Sequence, residues 1–454
     1  MTSSEEAVTR EATGAEGEIL DRGGWQGHPR GLSTLFFTEM WERFSYYGMR
    51  ALLILYMVAP LDKGGLGFTT PHAGSIYGWY TMMVYAMALP GGWLADRFLG
   101  QYRSVLIGGI LIALGNFSLA FHPVSFFYLG LLLLILGTGM LKPNISSMVG
   151  SLYGQDDARR DAGFSIFYMG INLGALLAPL VSGTIGQKID WHYGFGSAGI
   201  GMTLGLVQYM LGKKRLEPAL ARLKTAKEKM RSSAAGTPAL TATEWNRLAV
   251  VGILFLFSSL FWACFEQAGS SLNLFADRLT RLSVFGHAFP STWFQSLNSV
   301  MIIALAPVFA WLWVRLGRRE PSSPMKFSMG LLFVGLGLLL LVPASTLAQS
   351  HQVRVSPMWL VGVYFIHTVG ELCLSPVGLS MVTKLAPARL VGMMMGVWFL
   401  SIALGNKVAG WIGGLFDPER LAHIFGTVGA MAIGAALLLA LLARPIRKLM
   451  GGVH

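Results

Sequence analysis

The sequence predicts an all-α integral membrane protein of about twelve transmembrane helices arranged as two six-helix bundles. Three observations carry that reading. Of its 454 residues, 53% are hydrophobic and only 13% are charged, a balance outside the range of soluble globular chains. Apolar runs of the roughly 20 residues needed to cross a bilayer recur along the whole length. One long polar interruption, 213–246, divides them into two sets of six.

Residues 1–31 are rich in Glu, Ser, Thr and Gly with little to bury, and read as a disordered cytoplasmic tail without a signal-peptide core. Spans of the N-terminal bundle, 32–212, are expected at 32–58, 74–95, 103–121, 126–150, 162–186 and 195–212. The linker 213–246 starts with a basic stretch, Lys213 to Arg231, suited to a surface amphipathic helix, and continues into a Ser/Ala/Gly/Pro/Thr-rich run. Spans of the C-terminal bundle, 247–443, are expected at 247–275, 292–314, 327–347, 357–384, 390–415 and 421–443, followed by a short tail at 444–454. Two such halves around a linker is the pattern of two-bundle secondary transporters.

The net charge of +12 raises the question of nucleic acid, and the placement of the bases answers it. They concentrate in alternate connections, among them Arg97, Arg103, Arg159, Arg160, the run from Lys213 to Arg231, Arg389 and Arg444 to Lys448. The intervening connections hold Lys63, Lys188, Arg278, Arg281, Arg354 and Arg420. The positive-inside rule then places both termini in the cytoplasm, and the basicity reports topology rather than a nucleic-acid partner. With only Cys264 and Cys373, both in apolar segments, neither a disulfide framework nor a cysteine metal site is indicated. Nor does any nucleophile–base pairing or sizeable soluble domain point to an enzyme or receptor.

In the first span, Glu39, Glu42, Arg43, Tyr46, Tyr47 and Arg50 fall within roughly 140° of one helix face, at about 100° per residue. An ionised group at mid-span costs about 2.5–3.5 kcal/mol on insertion scales, so intramembrane charges mark function. Lys142, Glu266 and Glu371 join the list. Taking about 1.5 Å per residue, Glu39 and Glu42 lie roughly 10–15 Å from the inner end of their span and Lys142 about 12 Å from its own, so these can meet. Arg43 comes out near 16 Å, Glu371 near 20 Å and Glu266 near 28 Å, so an Arg43–Glu266 pair requires long reach or tilt. Four carboxylates against two bases leave acids that cannot all be paired, and such surplus acids suit proton carriage. Arg50 and Lys407 receive no role, and His367 reads as a core histidine.

Gly91, Asp96 and Arg97, in Gly-Gly-Trp-Leu-Ala-Asp-Arg-Phe-Leu-Gly, resemble the second-loop signature of the major facilitator superfamily. Glycine there permits close helix approach, and Asp96 and Arg97 are placed to pair across the loop. Pro143 and Pro376, just after Lys142 and Glu371, are expected hinges.

Glu39-x-x-Glu42-Arg43-Phe44-x-Tyr46-Tyr47 resembles the first-helix motif of the proton-dependent oligopeptide transporter family, a branch of that superfamily. Gly137 to Asn144, Phe167 to Leu176, Phe265-Glu266-Gln267 and Gly370 to Pro376 are similar to its signatures in the fourth, fifth, seventh and tenth helices. The resemblance implies that Arg43 and Lys142 hold a peptide carboxylate and Glu371 its amino terminus. It also implies contacts from Asn172, Asn298 and Ser375, and a lining from Tyr46, Tyr47, Tyr85 and Trp398. Proton coupling would run through Glu39, Glu42, Lys142 and Glu266. The expected partners are di- and tripeptides, protons and membrane lipid in a bacterial inner membrane, with no obligate protein partner and no cofactor beyond the proton as coupling ion. A related symporter for nitrate or an amino acid is the alternative. One departure is that 213–246 is too short and basic for the two extra helices some bacterial relatives carry between the halves.

Overall fold

A computed structural model describes residues 21–154, 157–232, 240–387 and 390–451, without the side chains of 226–232, 318 and 392. The expected tail up to residue 20, the linker run at 233–239, Arg389 and the last three residues lie outside them. Twelve spans are present. Those of the first half are Gly31–Val58, Thr70–Leu94 with a one-residue interruption at Met87, Gln101–Leu119, Val124–Ser151, Arg160–Lys188 and Trp191–Leu211. In the second half they are Ala242–Leu279, Phe294–Leu316, Ser323–His351, Met358–Leu385, Val391–Gly414 and Leu421–Leu449. Nine described helices are long and apolar enough to cross a membrane by themselves. The charged first span and the glycine-rich second and sixth spans are packed among them. Twelve crossings return the chain to the face where it started, called here the terminal face; the opposite one is the far face.

The first span is the hub of its bundle, buried along nearly its whole length between the fifth and sixth. The second span packs along the eleventh and the fifth against the eighth, so these pairs bridge the bundles. The second and eleventh meet on glycine: a Cβ on Gly410 would stand 2.3 Å from the Gly78 Cα, and one on Gly74 2.5 Å from the Gly414 Cα. Such contact of backbones is how membrane helices gain van der Waals energy where lipid offers no hydrophobic drive. Where the expected basic stretch leaves the sixth span, a helix runs Lys213–Ser232, docked on the bundle through fully buried Leu216 and Ala219. The seventh span starts at a capping box, with Thr241 and Glu244 each accepting the other's backbone amide.

Several helix irregularities differ from expectation. The fourth and tenth spans run unbroken through Pro143 and Pro376. The carbonyl that Pro143 frees, that of Gly139, is met by the backbone of Gly91, whose missing Cβ would otherwise stand 2.0 Å away. Wider π-type turns occur instead at Ala95–Leu99 and Pro179–Gly183, and the seventh span tightens to a 3₁₀ turn at Glu266–Gly269. A small hairpin, β1 Ser283–Val284 and β2 His287–Ala288, caps the far face after the seventh span.

All described side-chain hydrogen bonds that cross between the bundles lie in the far half. Gln187 donates to Ser291 at 2.8 Å, Trp293 to Thr184 at 2.8 Å, Ser296 to the Leu176 carbonyl at 2.8 Å and Asn273 to the Ala51 carbonyl at 2.9 Å. This is a conformation closed on the far face.

Candidate functional site

The polar stripe of the first span is buried inside the protein, with Glu42 fully enclosed and Glu39 and Arg43 each 3% exposed. Arg43 grips Glu42 through both nitrogens of its fork, Nη2 donating to Oε1 at 2.6 Å and Nε to Oε2. The same Nε stands 3.4 Å from Glu39 Oε1. Glu39 Oε2 is buried with no hydrogen-bond partner among the described residues. A lone carboxylate oxygen in such a place costs free energy that a proton would relieve.

Lys142 was expected to meet Glu39 or Glu42. Instead its Nζ lies over the Tyr85 ring, 4.0 Å from the centroid, and no carboxylate comes within 4.0 Å among the described residues. Arg43 is the reason: one turn from Glu39 and adjacent to Glu42 on the same helix, it takes both acids. Lys142 remains within electrostatic reach of them and of Glu266, a half-buried cation stabilised by a ring face rather than by an anion.

The Arg43–Glu266 pair does not form either. Glu266, at the 3₁₀ break of the seventh span, binds Arg50, which carried no expected role. Arg50 also donates through Nε to the Tyr77 hydroxyl at 2.7 Å. Both charges are buried, and the contact joins the two bundles. Gly269 gives this cluster room, since a Cβ there would stand 1.8 Å from the Tyr77 hydroxyl. The depth arithmetic held the signal: Arg50 lies about 27 Å from the inner end of its expected span and Glu266 about 28 Å from its own.

In the C-terminal bundle Glu371 accepts from Asn298 Nδ2 at 2.9 Å, and Asn298 also donates to the Thr368 hydroxyl at 3.1 Å. Ser375 sits one turn beyond Glu371, half-buried. Tyr47 stands between the halves, within electrostatic reach of Arg43, Arg50, Glu266 and Glu371 together. Its ring packs edge-on to that of Tyr46, and the Arg43 guanidinium lies 5.0 Å from the Tyr46 centroid. Tyr168 of the fifth span, absent from the sequence-based set, is also within reach of Glu371 and Tyr47. Asn172 is buried and donates to the Tyr168 carbonyl at 3.0 Å within its own helix. Trp398 is 4% exposed, packed on Phe327 and against Gly378. Its place is in the C-terminal bundle's own packing.

At the second loop, Gly91 makes the expected close helix contact. Asp96 and Arg97 form no ion pair; both are exposed, and Asp96 accepts from Gln101 at 2.9 Å. The π-type turn through Ala95–Leu99 sets the two side chains apart. His367 is buried in the C-terminal bundle against Gly337, as a core histidine.

Two six-helix bundles, charges of opposite preference on either side of a central cluster and a far face sealed by cross-bundle contacts define a secondary transporter of the major facilitator type. The model of the POT family matches residues 102–231 and 218–428. The chain is 40% identical to the peptide transporter YePEPT of Yersinia enterocolitica subsp. palearctica, across 94% of this chain and 96% of that one. It is 38% identical to the di-/tripeptide transporter of Lactococcus lactis subsp. cremoris, across 94% and 98%. Among solved structures it is similar to a mutant peptide transporter POT in complex with alafosfalin, with a TM-score of 0.87 and 44% identity over 96% of this chain and 98% of that one. The chain belongs to the POT family, and it is an integral membrane protein.

Proposed function

We propose that this protein imports di- and tripeptides together with protons across a bacterial inner membrane, its termini in the cytoplasm and its far face outward. The observation that carries the reading is the division of charge: Arg43 and Lys142 stand on the N-terminal bundle, Glu371 with Asn298 on the C-terminal one. A zwitterion spans that division with its carboxylate toward the bases and its amine toward the acid. Ends are gripped and side chains tolerated, in keeping with what the relatives' names say they carry. Tyr46, Tyr47, Tyr85, Asn172 and Ser375 line or support this site. Lipid surrounds the bundles, and the coupling ion is the proton, with no other cofactor.

Lys142, held only by a ring face, is the base ready for a peptide carboxylate. Arg43 is occupied by Glu42 and Glu39, and protonation of those acids frees it for the same carboxylate. Protonation of Glu266 weakens its bond to Arg50 and with it a cross-bundle tie on the far face. Proton and peptide from outside thus favour successive steps, and loss of the proton to the cytoplasm restores the pairs and expels the peptide.

The reading is tested by uptake into proteoliposomes with an imposed pH gradient, using dipeptides, tripeptides and N-blocked analogues. Accumulation of free peptides driven by inward proton flow is expected. Uptake unaffected by the gradient, or amino acids or nitrate competing better than dipeptides, would overturn it.

A further inference from the structure

Outside the transport site, a lateral groove of about 310 Å³ lies between the second and eleventh spans in the far half of the protein. Pro71 and Ser75 line it from one bundle; Lys407, Val408, Trp411 and Leu415 line it from the other. Lys407 Nζ stands 4.1 Å from the centroid of the Trp79 ring, a contact that itself crosses between the bundles. Among the described residues no carboxylate lies within 4.0 Å of that ammonium. A lysine inside a span costs more than one cation–π contact returns, so the charge remains under-compensated. It lies about 10 Å short of the far end of its helix, a depth from which a lysine stem reaches the headgroup zone. Trp79 and Trp411, both more than half exposed or close to it at 50% and 63%, flank it as interfacial tryptophans flank lipid headgroups.

We propose that this groove binds the phosphate of an anionic phospholipid from the outward leaflet. Lys407 pairs with the phosphate, and the acyl chain lies along Val408, Trp411 and Leu415. The occupant is lipid because the groove opens sideways from the protein, and anionic because its one charge is a cation without a protein partner. Since the walls come from two bundles, such a lipid contacts both only while the second and eleventh spans are closed on one another at Gly74, Gly78, Gly410 and Gly414. A ligand that binds one conformation better shifts the population toward it. The bound lipid therefore holds the far-closed state.

The test is native mass spectrometry of the purified full chain with phosphatidylglycerol or phosphatidylcholine. It is paired with spin-label distances between Leu61→Cys and Phe285→Cys, exposed positions on the far loops of the two bundles, in nanodiscs of either lipid. The wild type is expected to retain one phosphatidylglycerol more than Lys407→Gln, and Lys407→Arg to restore it. Phosphatidylglycerol should raise the short-distance population in the wild type and not in Lys407→Gln. Trp79→Leu, which keeps the charge, should retain the lipid at least tenfold more weakly. Equal retention by wild type and Lys407→Gln, equal retention of both lipids, or displacement by inorganic phosphate at millimolar concentration would each overturn the proposal. None of these readouts depends on transport of peptide.

Discussion

Arg50 on the first span and Glu266 on the seventh form a buried ion pair that ties the two bundles together on the face opposite the termini. Removing one partner of a buried pair commonly costs about 3–5 kcal/mol because the other charge is left desolvated. Here that cost falls on the far-closed conformation alone. Glu266→Gln should therefore abolish proton-driven accumulation while counterflow persists, and should lengthen the Leu61–Phe285 label distance. Accumulation at the wild-type level would remove Glu266 from the coupling path.

Lys142→Ala removes the base that holds no carboxylate in this conformation. Accumulation against a gradient should be lost and counterflow retained in part, since Arg43 still offers a cation to the peptide. Lys142→Arg should recover only a fraction, because the longer planar fork does not fit over Tyr85 as an ammonium does. Uptake assays with and without a pH gradient separate these outcomes, and full accumulation by Lys142→Ala would end its assigned role.

The spans and the charged residues were legible because an ionised group in an apolar run is conspicuous whatever its neighbours. Glu39, Glu42, Arg43, Lys142, Glu266 and Glu371 needed no more than that. Which charge meets which was less legible, since pairing depends on rotation and depth of separate helices. Arg43 is one residue from Glu42 and one turn from Glu39, and local geometry decided in its favour over any longer-range partner. The turn at Glu266–Gly269 left only Gly269 as a trace in the sequence, and the π-type turn at Pro179–Gly183 only a proline and a glycine. Trp398 shows the opposite limit: an aromatic residue on an apolar helix carries no mark of whether it faces a cavity or a neighbour.

Glu371→Gln keeps a partner for Asn298 but removes the charge that faces a peptide amine. A hydrogen bond to a charged group is worth about 1.5–3 kcal/mol, so KM for free dipeptides should rise about tenfold to a hundredfold. N-acetylated dipeptides, which lack the ammonium, should be transported no worse by the variant than by the wild type. An unchanged preference for free over blocked peptides would show that the amine is held elsewhere.

Gly410→Val places side-chain atoms where the Gly78 backbone already stands, with the first of them 2.3 Å from its Cα. Overpacking of that kind costs about 1–3 kcal/mol, and here the cost applies only while the second and eleventh spans are closed together. The far-closed population should fall by about tenfold, read as longer Leu61–Phe285 label distances and slower peptide release inside proteoliposomes. Gly434→Ala in the twelfth span, where a Cβ meets nothing within 4 Å, is the control and should leave both unchanged.

The connection between the fourth and fifth spans offers a stability prediction with a defined pH dependence. Arg159 Nη2 donates to Asp157 Oδ2 at 2.7 Å and Nε to Oδ1 at 3.0 Å, while the same guanidinium reaches back to the carbonyls of Asp21 and Gly27. The hydrogen bonds from the Arg159 side chain hold the Asp157 carboxyl below its ordinary value, against a smaller opposing effect of burial. A carboxyl whose folded value is depressed stabilises the fold above its unfolded value, near pH 4, and loses that contribution as pH falls through the folded value. Asp157→Asn should therefore lower stability by about 1–2 kcal/mol at pH 7. The gap between variant and wild type should stay constant down to about pH 5 and narrow below pH 4. Thermal unfolding in detergent across that range measures it, and a gap that widened toward acid would show that Asp157 is not the anchor of Arg159.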